Sequence, residues 1–287
     1  MNYLDPLARR YGESTGVLLP LFQLVREHEL GKLTKSLGYR YIHIGSWWGP
    51  TAGNPLADVN VKYGGPSEFT SALYQTTALA PVATDDFRFR EWKREQFQFN
   101  ALGHLGRFKR PRFVFAHILA PHDPLVFDRN GHYLSQARQF GEPKEVAYVD
   151  ELSYLNQQVI ELVTDLLAAP ADKRPVIVIQ SDEGPYEGHP IKWVPSPGDC
   201  VLQRKFGILN AFYLPGVSPA QAGLYPTITP VNSFRLILDV YFHAKLALLP
   251  DTNFVFRDLK HVYDLRDVTG QVRSVVQTTI SCPAPFP

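Results

Sequence analysis

The chain has 287 residues, of which 45% are hydrophobic, and 29 lysines and arginines face 28 aspartates and glutamates. This near-neutral balance argues against nucleic acid as the main partner. The apolar fraction excludes an intrinsically disordered chain, and 24 prolines indicate many fixed turns. Two cysteines, Cys200 and Cys282, are too few for a disulfide framework and lack the spacing of a zinc site.

Neither the start of the chain nor its apolar runs suggest a membrane segment. Residues 1–10 have no apolar h-region, so we expect no signal peptide. The longest apolar runs, such as 113–116 and 176–179, are too short to span a bilayer. We therefore expect no membrane segment in this chain, and the cellular location stays open.

The first predicted elements are two helices and two strands in alternation. Apolar residues at helical spacing predict a helix over 20–37, and Gly38 suits the position just past its end. The β-branched and aromatic residues of 39–45 predict a strand. A second helix is predicted over 84–102, where a threonine and two aspartates suit an N-terminus, and a second strand over 112–119.

The second half of the chain continues the alternation. A long helix is predicted over 145–168, and residues 176–180 are apolar on both faces, as suits a central parallel strand. A further strand is predicted over 206–214, and the last helix begins at Thr229 and Pro230. These elements predict one α/β domain over 1–287, with a mostly parallel central sheet and helices on both faces.

Ligands of open α/β sheets bind at the carboxyl ends of the strands, which selects three segments. We call residues 45–51 the first loop, 120–124 the second loop and 181–189 the third loop. Each is rich in side chains that bind metals, anions or sugars. The candidate site residues in these loops are Ser46, Trp48, His122, Asp182, Glu183 and His189.

The third loop has two interpretations. Asp182 and Glu183 directly follow a buried strand, and Gly184 allows a sharp turn. Two adjacent carboxylates suit one hard divalent cation, which takes oxygen ligands. The alternative is an acidic turn in which Asp182 caps the next segment.

The first two loops also have a structural interpretation beside a functional one. His122 stands between two prolines, which either present the imidazole to a substrate oxyanion or form a rigid surface turn. Trp47 and Trp48 either stack on a sugar or contribute to packing. His43 and His117 lie within predicted strands, where a hydrogen-bonded core histidine is the simpler interpretation.

In their order and spacing these segments resemble the sulfatase-like branch of the alkaline phosphatase superfamily, which includes arylsulfatases, phosphoethanolamine transferases and lipoteichoic acid synthase. Residues 113–127 (FVFAHILAPHDPLVF) resemble the family's strand and Pro-His-x-Pro loop, 148–167 its following helix, and 176–184 the strand ending in Ser-Asp-His-Gly. Residues 38–49 occupy the place of a Gly-Lys-Trp-His motif, and 229–235 are similar to a segment of bacterial membrane-anchored members.

The resemblance implies an alkaline-phosphatase-like fold and metal-dependent hydrolysis or transfer of a sulfate or phosphate ester. Asp182 and Glu183 would bind manganese, magnesium or calcium, and His122 would contact the transferred group. A metal-held hydroxyl attacks sulfur or phosphorus, while the cation and the histidine stabilise the equatorial oxygens. Ser46, Trp48 and His189 are expected to contribute to substrate binding.

The sequence departs from the family pattern in two ways. Glu183 replaces a histidine, which favours a harder cation. The family's first strand and its nucleophile precede the region that matches 1–18, so we expect a domain without its N-terminal strands and assign no nucleophile. Cys200 lacks the proline of the sulfatase signature, which favours phosphoryl or phosphoglycerol transfer, or a threonine-based hydrolase. The competing hypothesis is a non-catalytic fragment or pseudoenzyme that retains part of the pocket.

Overall fold

The structure, a computed structural model, describes residues 4–65, 70, 73–74, 76–78, 80–105, 111–185 and 199–277. The chain divides into two compact units. We call Leu21–Ala169 the central unit, and Met1–Pro20 together with Pro170–Pro287 the terminal unit. Each is described by itself below.

Helices and strands alternate along the described chain. The helices are α1 Leu4–Tyr11, α2 Leu19–Arg26, α3 Glu29–Ser36, α4 Ala80–Gly103, α5 Gln136–Phe140, α6 Lys144–Leu167, α7 Asp199–Phe206, α8 Pro219–Ala222, α9 Pro230–Phe242 and α10 Thr269–Gln277. The strands are β1 Arg40–Ile44, β2 Val59–Val61, β3 Arg112–Ala116, β4 Ile177–Gln180, β5 Asn210–Tyr213, β6 Phe254–Phe256 and β7 Leu265–Asp267.

The central unit contains a three-stranded parallel sheet in the order β2-β1-β3. Ile44, the last residue of β1, pairs with Val61 on one side and Ala116 on the other, so the three carboxyl ends lie at one edge. Tyr41, Ile42 and Ile44 are fully buried and anchor the sheet in the core. The prediction of a mixed α/β fold with parallel strands is confirmed for this part of the chain.

The helix predicted over 20–37 is two helices instead of one. α2 ends at Arg26, and α3 begins after His28, whose Nδ1 accepts a hydrogen bond from the Gly31 amide as an N-cap. The side chain thus satisfies an amide that has no partner within the helix, and a new helix starts there. Gly38 has φ +84° just past α3, as its predicted position requires.

The terminal unit differs from the expected parallel arrangement. β4 pairs antiparallel with β5, and β6 pairs antiparallel with β7. A short strand that is apolar on both faces fits either pairing direction, so the expectation of a parallel β4 was wrong in the described pairing. The core around β4 and β5 contains Leu214, Ala222, Leu236 and Ile237.

None of the described helices combines the length and the hydrophobicity needed to cross a membrane.

Candidate functional site

The first and second loops meet at the carboxyl edge of the parallel sheet. They leave the adjacent strands β1 and β3, whose last residues Ile44 and Ala116 are paired. The Thr51 hydroxyl lies 2.7 Å from His117 Nδ1, just after β3. The Trp47 ring meets the His122 ring edge-on, with centroids 6.4 Å apart. The side chains of the two loops therefore form one continuous surface.

The first loop is folded tightly on its own hydrogen bonds. Ser46 Oγ lies 2.8 Å from Thr51 Oγ1 and accepts a hydrogen bond from the Trp48 amide at 3.1 Å. A Cβ on Gly45 would come within 2.5 Å of the Ala52 carbonyl oxygen, so this close approach needs glycine. Ser46 is only 7% exposed and is engaged inside the loop, where it supports the loop backbone.

The tryptophans of the first loop pack on neighbouring rings. Trp48 lies edge-on to His117 at 5.9 Å and to Phe22 at 5.7 Å, while Trp47 lies edge-on to Phe87 at 5.6 Å. Edge-to-face contacts of this kind add stability beyond the buried area. Both tryptophans contribute to packing, and Trp48 remains half-buried at the loop surface.

His122 in the second loop is exposed, and one of its ring nitrogens has a fixed role. Nδ1 lies 2.7 Å from the Asp123 carbonyl oxygen, which only accepts, so Nδ1 carries a hydrogen. The other nitrogen, Nε2, then donates a hydrogen bond to an anion only when the ring is protonated. Lys144 pairs with the Asp123 carboxylate at 2.6 Å and offsets its negative charge.

A stripe of buried polar side chains on α4 forms hydrogen bonds with the backbone of the second loop and of the residues after it. Arg88 donates to the Leu125 and Leu134 carbonyls at 2.5 and 2.8 Å, and Glu95 accepts from the Ala120 amide at 3.1 Å. From α6, Glu151 accepts from the Val126 and Phe127 amides at 2.5 and 2.9 Å. Buried ionisable groups therefore hold the backbone on both sides of His122.

Sequence reasoning missed this stripe, although a signal for it exists. The stripe consists of Arg88, Glu91, Glu95 and Gln98, whose spacing of three and four places them on one helix face. All four are at most 4% exposed, whereas Phe89 on another face of the same helix is 43% exposed. A polar stripe at helical spacing beside an exposed phenylalanine indicates that polar groups cover this side of the core.

Burial changes the protonation of these carboxyl groups. It raises the pKa of Glu151 to about 8, and it raises the pKa of Glu91 to about 7 although Arg94 opposes the shift. Burial, with the nearby charges of Glu151 and Glu91, raises the pKa of Glu95 well above its ordinary range. Among the described residues, neither Glu95 Oε2 nor Glu151 Oε1 has a hydrogen-bond partner. No hydrogen bond at these two oxygens stabilises the charged form, so burial favours the protonated carboxyl groups.

The third loop follows β4 in the terminal unit. Asp182 is exposed, and its Oδ1 accepts from the Glu183 amide at 2.9 Å. Glu183 Oε2 forms an ion pair with Lys205 Nζ at 2.7 Å. Gly184 does not have a positive φ; it is required because a Cβ there would lie 2.0 Å from the Arg204 carbonyl oxygen. The loop therefore packs tightly against the end of α7.

The carboxylates of the third loop fit part of a hard-cation site. Asp182 has exposed oxygen atoms, and the oxygen atoms of Glu183 become further ligands when its ion pair with Lys205 is broken. In the described part of the chain no group of three or more acidic, histidine or cysteine side chains is placed to hold a metal ion. His189 of this loop lies outside the described residues, as do Cys282 and the Cys200 side chain.

Comparisons with protein-family models, with curated proteins and with solved structures gave no significant match.

Proposed function

We propose that the protein binds a sulfate or phosphate ester and, with a divalent cation, hydrolyses it or transfers its acidic group, as in the sulfatase-like branch of the alkaline phosphatase superfamily. The observation that carries the proposal is the meeting of the first and second loops beside an exposed imidazole. His122 lies next to Trp47 at the carboxyl edge of a parallel sheet. This is where α/β folds bind their ligands.

The surroundings of His122 favour an anionic ligand. When protonated, its Nε2 presents an N–H to the solvent while Nδ1–H is already used by the Asp123 carbonyl. Lys144 pairs with the neighbouring Asp123 carboxylate, and Arg26 donates a hydrogen bond to the Gly49 carbonyl of the first loop at 3.4 Å. Cations and oriented N–H groups are the usual ligands of sulfate and phosphate oxygens.

In this proposal Asp182 and Glu183 hold the cation, which would be manganese, magnesium or calcium. A bound cation of this kind acts as a Lewis acid on a sulfuryl or phosphoryl oxygen. Lys205 competes for Glu183, so metal binding includes the cost of breaking that ion pair. The alkaline-phosphatase-like arrangement of the whole domain belongs to the proposal as well.

Sulfate binding tests the role of His122. We expect His122→Gln to weaken sulfate binding about tenfold, because a hydrogen bond to a charged group contributes about 1.5–3 kcal/mol. Calorimetric titration with sulfate measures the affinity. His132→Gln, which changes another exposed histidine of the same unit, is the matched control. Equal affinities in all three proteins would contradict the assignment.

Manganese binding tests the third loop. We expect Asp182→Ala to abolish saturable manganese binding in a calorimetric titration, because the Asp182 carboxylate is exposed whereas Glu183 is paired with Lys205. Lys205→Met should tighten binding, since it frees Glu183 from its ion pair. Asp172→Ala, at an exposed aspartate of the terminal unit, should leave the affinity unchanged. Unchanged affinity in the Asp182 variant would exclude this site.

The Glu183–Lys205 ion pair favours a second candidate function. Lys205 already supplies the positive charge at Glu183, which leaves His122 to bind an anionic ligand without a metal and without catalysis. The same titrations separate the two. Sulfate binding without any manganese binding supports a non-catalytic binding protein, whereas saturable manganese binding supports the enzyme.

A further inference from the structure

A line of buried hydrogen bonds connects α3 with the first loop. His28 Nδ1 accepts from the Gly31 amide at 3.0 Å, and His28 Nε2 lies 2.9 Å from the Tyr41 hydroxyl. That hydroxyl lies 3.3 Å from His43 Nδ1, and His43 Nε2 lies 2.8 Å from the Thr51 carbonyl oxygen. Tyr41 and His43 are at most 1% exposed.

The two ends of this line determine the direction of every hydrogen bond in it. The Thr51 carbonyl only accepts, so His43 carries its hydrogen on Nε2 and its Nδ1 is an acceptor. Tyr41 must therefore donate to His43 and accept from His28 Nε2–H. His28 Nδ1 is then an acceptor, which agrees with the Gly31 amide that donates to it. All hydrogen bonds are satisfied only if both histidines are neutral and carry the hydrogen on Nε2.

The line ends on a residue of the first loop that contacts His117, just after β3. Thr51 is 3% exposed, and its side chain contacts His117 Nδ1 at 2.7 Å and Ser46 Oγ at 2.8 Å. His43 holds the backbone of the same residue. We infer that His28, Tyr41 and His43 form a directional hydrogen-bond relay, with both imidazoles neutral, that positions Thr51 and through it the contact of the first loop with His117, just after β3.

Protonation of either histidine breaks the relay. A hydrogen on His28 Nδ1 would face the Gly31 amide hydrogen, and a hydrogen on His43 Nδ1 would take the place of the Tyr41 hydroxyl hydrogen. We therefore expect the loop geometry to depend on pH, with an intact relay only while both rings are uncharged.

The charged neighbours of the relay lie on two elements around it. Burial lowers the pKa of His28, with further lowering by His43 and Lys32 and an opposing effect of Glu29. Burial also lowers the pKa of His43, and the positive charge of Lys62, in the segment after β2, lowers it further. The hydrogen bond to the Thr51 carbonyl opposes this shift. From β3 the relay is faced by the uncharged rings of Phe113 and Phe115. The neutral forms are thus favoured at pH 7.

The test is the tautomeric state of the histidines in the whole chain. Long-range ¹H–¹⁵N correlation spectra of ¹⁵N-histidine-labelled protein at pH 7.5 should show His28 and His43 as Nε2–H tautomers. Both should lose the neutral form only below pH 6.5, where an unperturbed histidine titrates. A Nδ1–H tautomer of either residue, or a charged ring at pH 7, would overturn the relay. This measurement decides the inference even if a variant fails to fold.

Tyr41→Phe tests the positioning. It keeps the ring and removes only the hydroxyl, so the fixed tautomers of both histidines should be lost and the resonances of Thr51 and His117 should move. Tyr74→Phe, at a half-exposed tyrosine of the same unit, should change none of these signals. Unchanged Thr51 and His117 resonances in Tyr41→Phe would overturn the positioning role.

The relevance of the relay to ester binding rests on the proposed function, and the two fail separately. Absence of sulfate binding by a chain with the expected tautomers contradicts the proposed function alone. Sulfate binding that persists at full affinity in Tyr41→Phe, with the tautomers lost, contradicts the positioning role alone.

Discussion

Replacing Glu151 with alanine is expected to lower the free energy of unfolding by about 4 kcal/mol, because two buried amides lose their acceptor and each costs about 1–3 kcal/mol. Glu151 is fully buried, and its Oε2 binds the amides of Val126 and Phe127. A loss of this size is a large part of the stability of an ordinary domain. Urea unfolding followed by tryptophan fluorescence measures it.

Two variants separate the acceptor from the charge. Glu151→Gln keeps a carbonyl oxygen of the same size, and with both variants measured at pH 4 we expect a loss within about 1 kcal/mol, since the carboxyl is then largely uncharged in the folded and in the unfolded chain. Glu161→Ala, on the exposed face of α6, should change stability by less than about 0.5 kcal/mol. Equal losses for Glu151→Gln and Glu151→Ala would show that the charge, and not the acceptor, stabilises this segment.

The pH dependence of the Glu151→Gln effect follows from the same burial. The pKa of Glu151 is raised to about 8 in the folded chain, against about 4.3 when unfolded. A raised carboxyl pKa favours folding below the unfolded pKa, and this contribution is lost as the pH rises towards 8. The stability of the native chain relative to Glu151→Gln should therefore be greatest near pH 4 and decline by at most about 1.4 kcal/mol per pH unit. A difference that is constant from pH 4 to pH 8 would contradict the raised pKa.

Replacing Asp251 with alanine is expected to destabilise the terminal unit by about 3 kcal/mol, because one carboxylate accepts four hydrogen bonds at the start of α9. Its Oδ1 accepts from the Thr229 amide and hydroxyl at 2.8 and 2.6 Å and from Asn232 Nδ2 at 3.0 Å. Its Oδ2 accepts from the Tyr225 hydroxyl at 2.6 Å. Asn232 is fully buried and loses one of its acceptors in the variant.

Controls and pH identify the carboxylate as the cause. Burial alone would raise the pKa of Asp251, but the hydrogen bonds from Thr229, Tyr225 and Asn232 outweigh it and lower the pKa. Its contribution is therefore present above the unfolded pKa of about 3.9 and is lost as the pH falls through the lower folded pKa. Asp172→Ala, at an exposed aspartate, should change stability by less than about 0.5 kcal/mol. An Asp251→Ala effect no larger than this control, measured by urea unfolding, would refute the role.

Local sequence patterns predicted most of the regular elements. The strand at β1, the long helix α6 and the start of α9 at Thr229 and Pro230 lie within a few residues of their predicted positions. These elements have strong periodicity or distinct end signals, which depend on neighbouring residues only. α4 begins at Ala80, ahead of the predicted Thr84, because several residues of a helix start are compatible with the same local signal.

The sequence by itself determined the alternation of helices and strands and the placement of polar loops after β1 and β3, since both follow from short-range patterns. Only the tertiary structure decided that β4 pairs antiparallel, that α4 turns a polar face inward, and that His28 and His43 belong to one hydrogen-bond line. Each of these depends on a partner distant in the chain: α4 faces the backbone at 120–134, and His28 meets strand β1 only after the chain has turned at Gly38. A polar group is stable in a core only when it is paired. Burial of polar residues can therefore be predicted only when their hydrogen-bond partners are known.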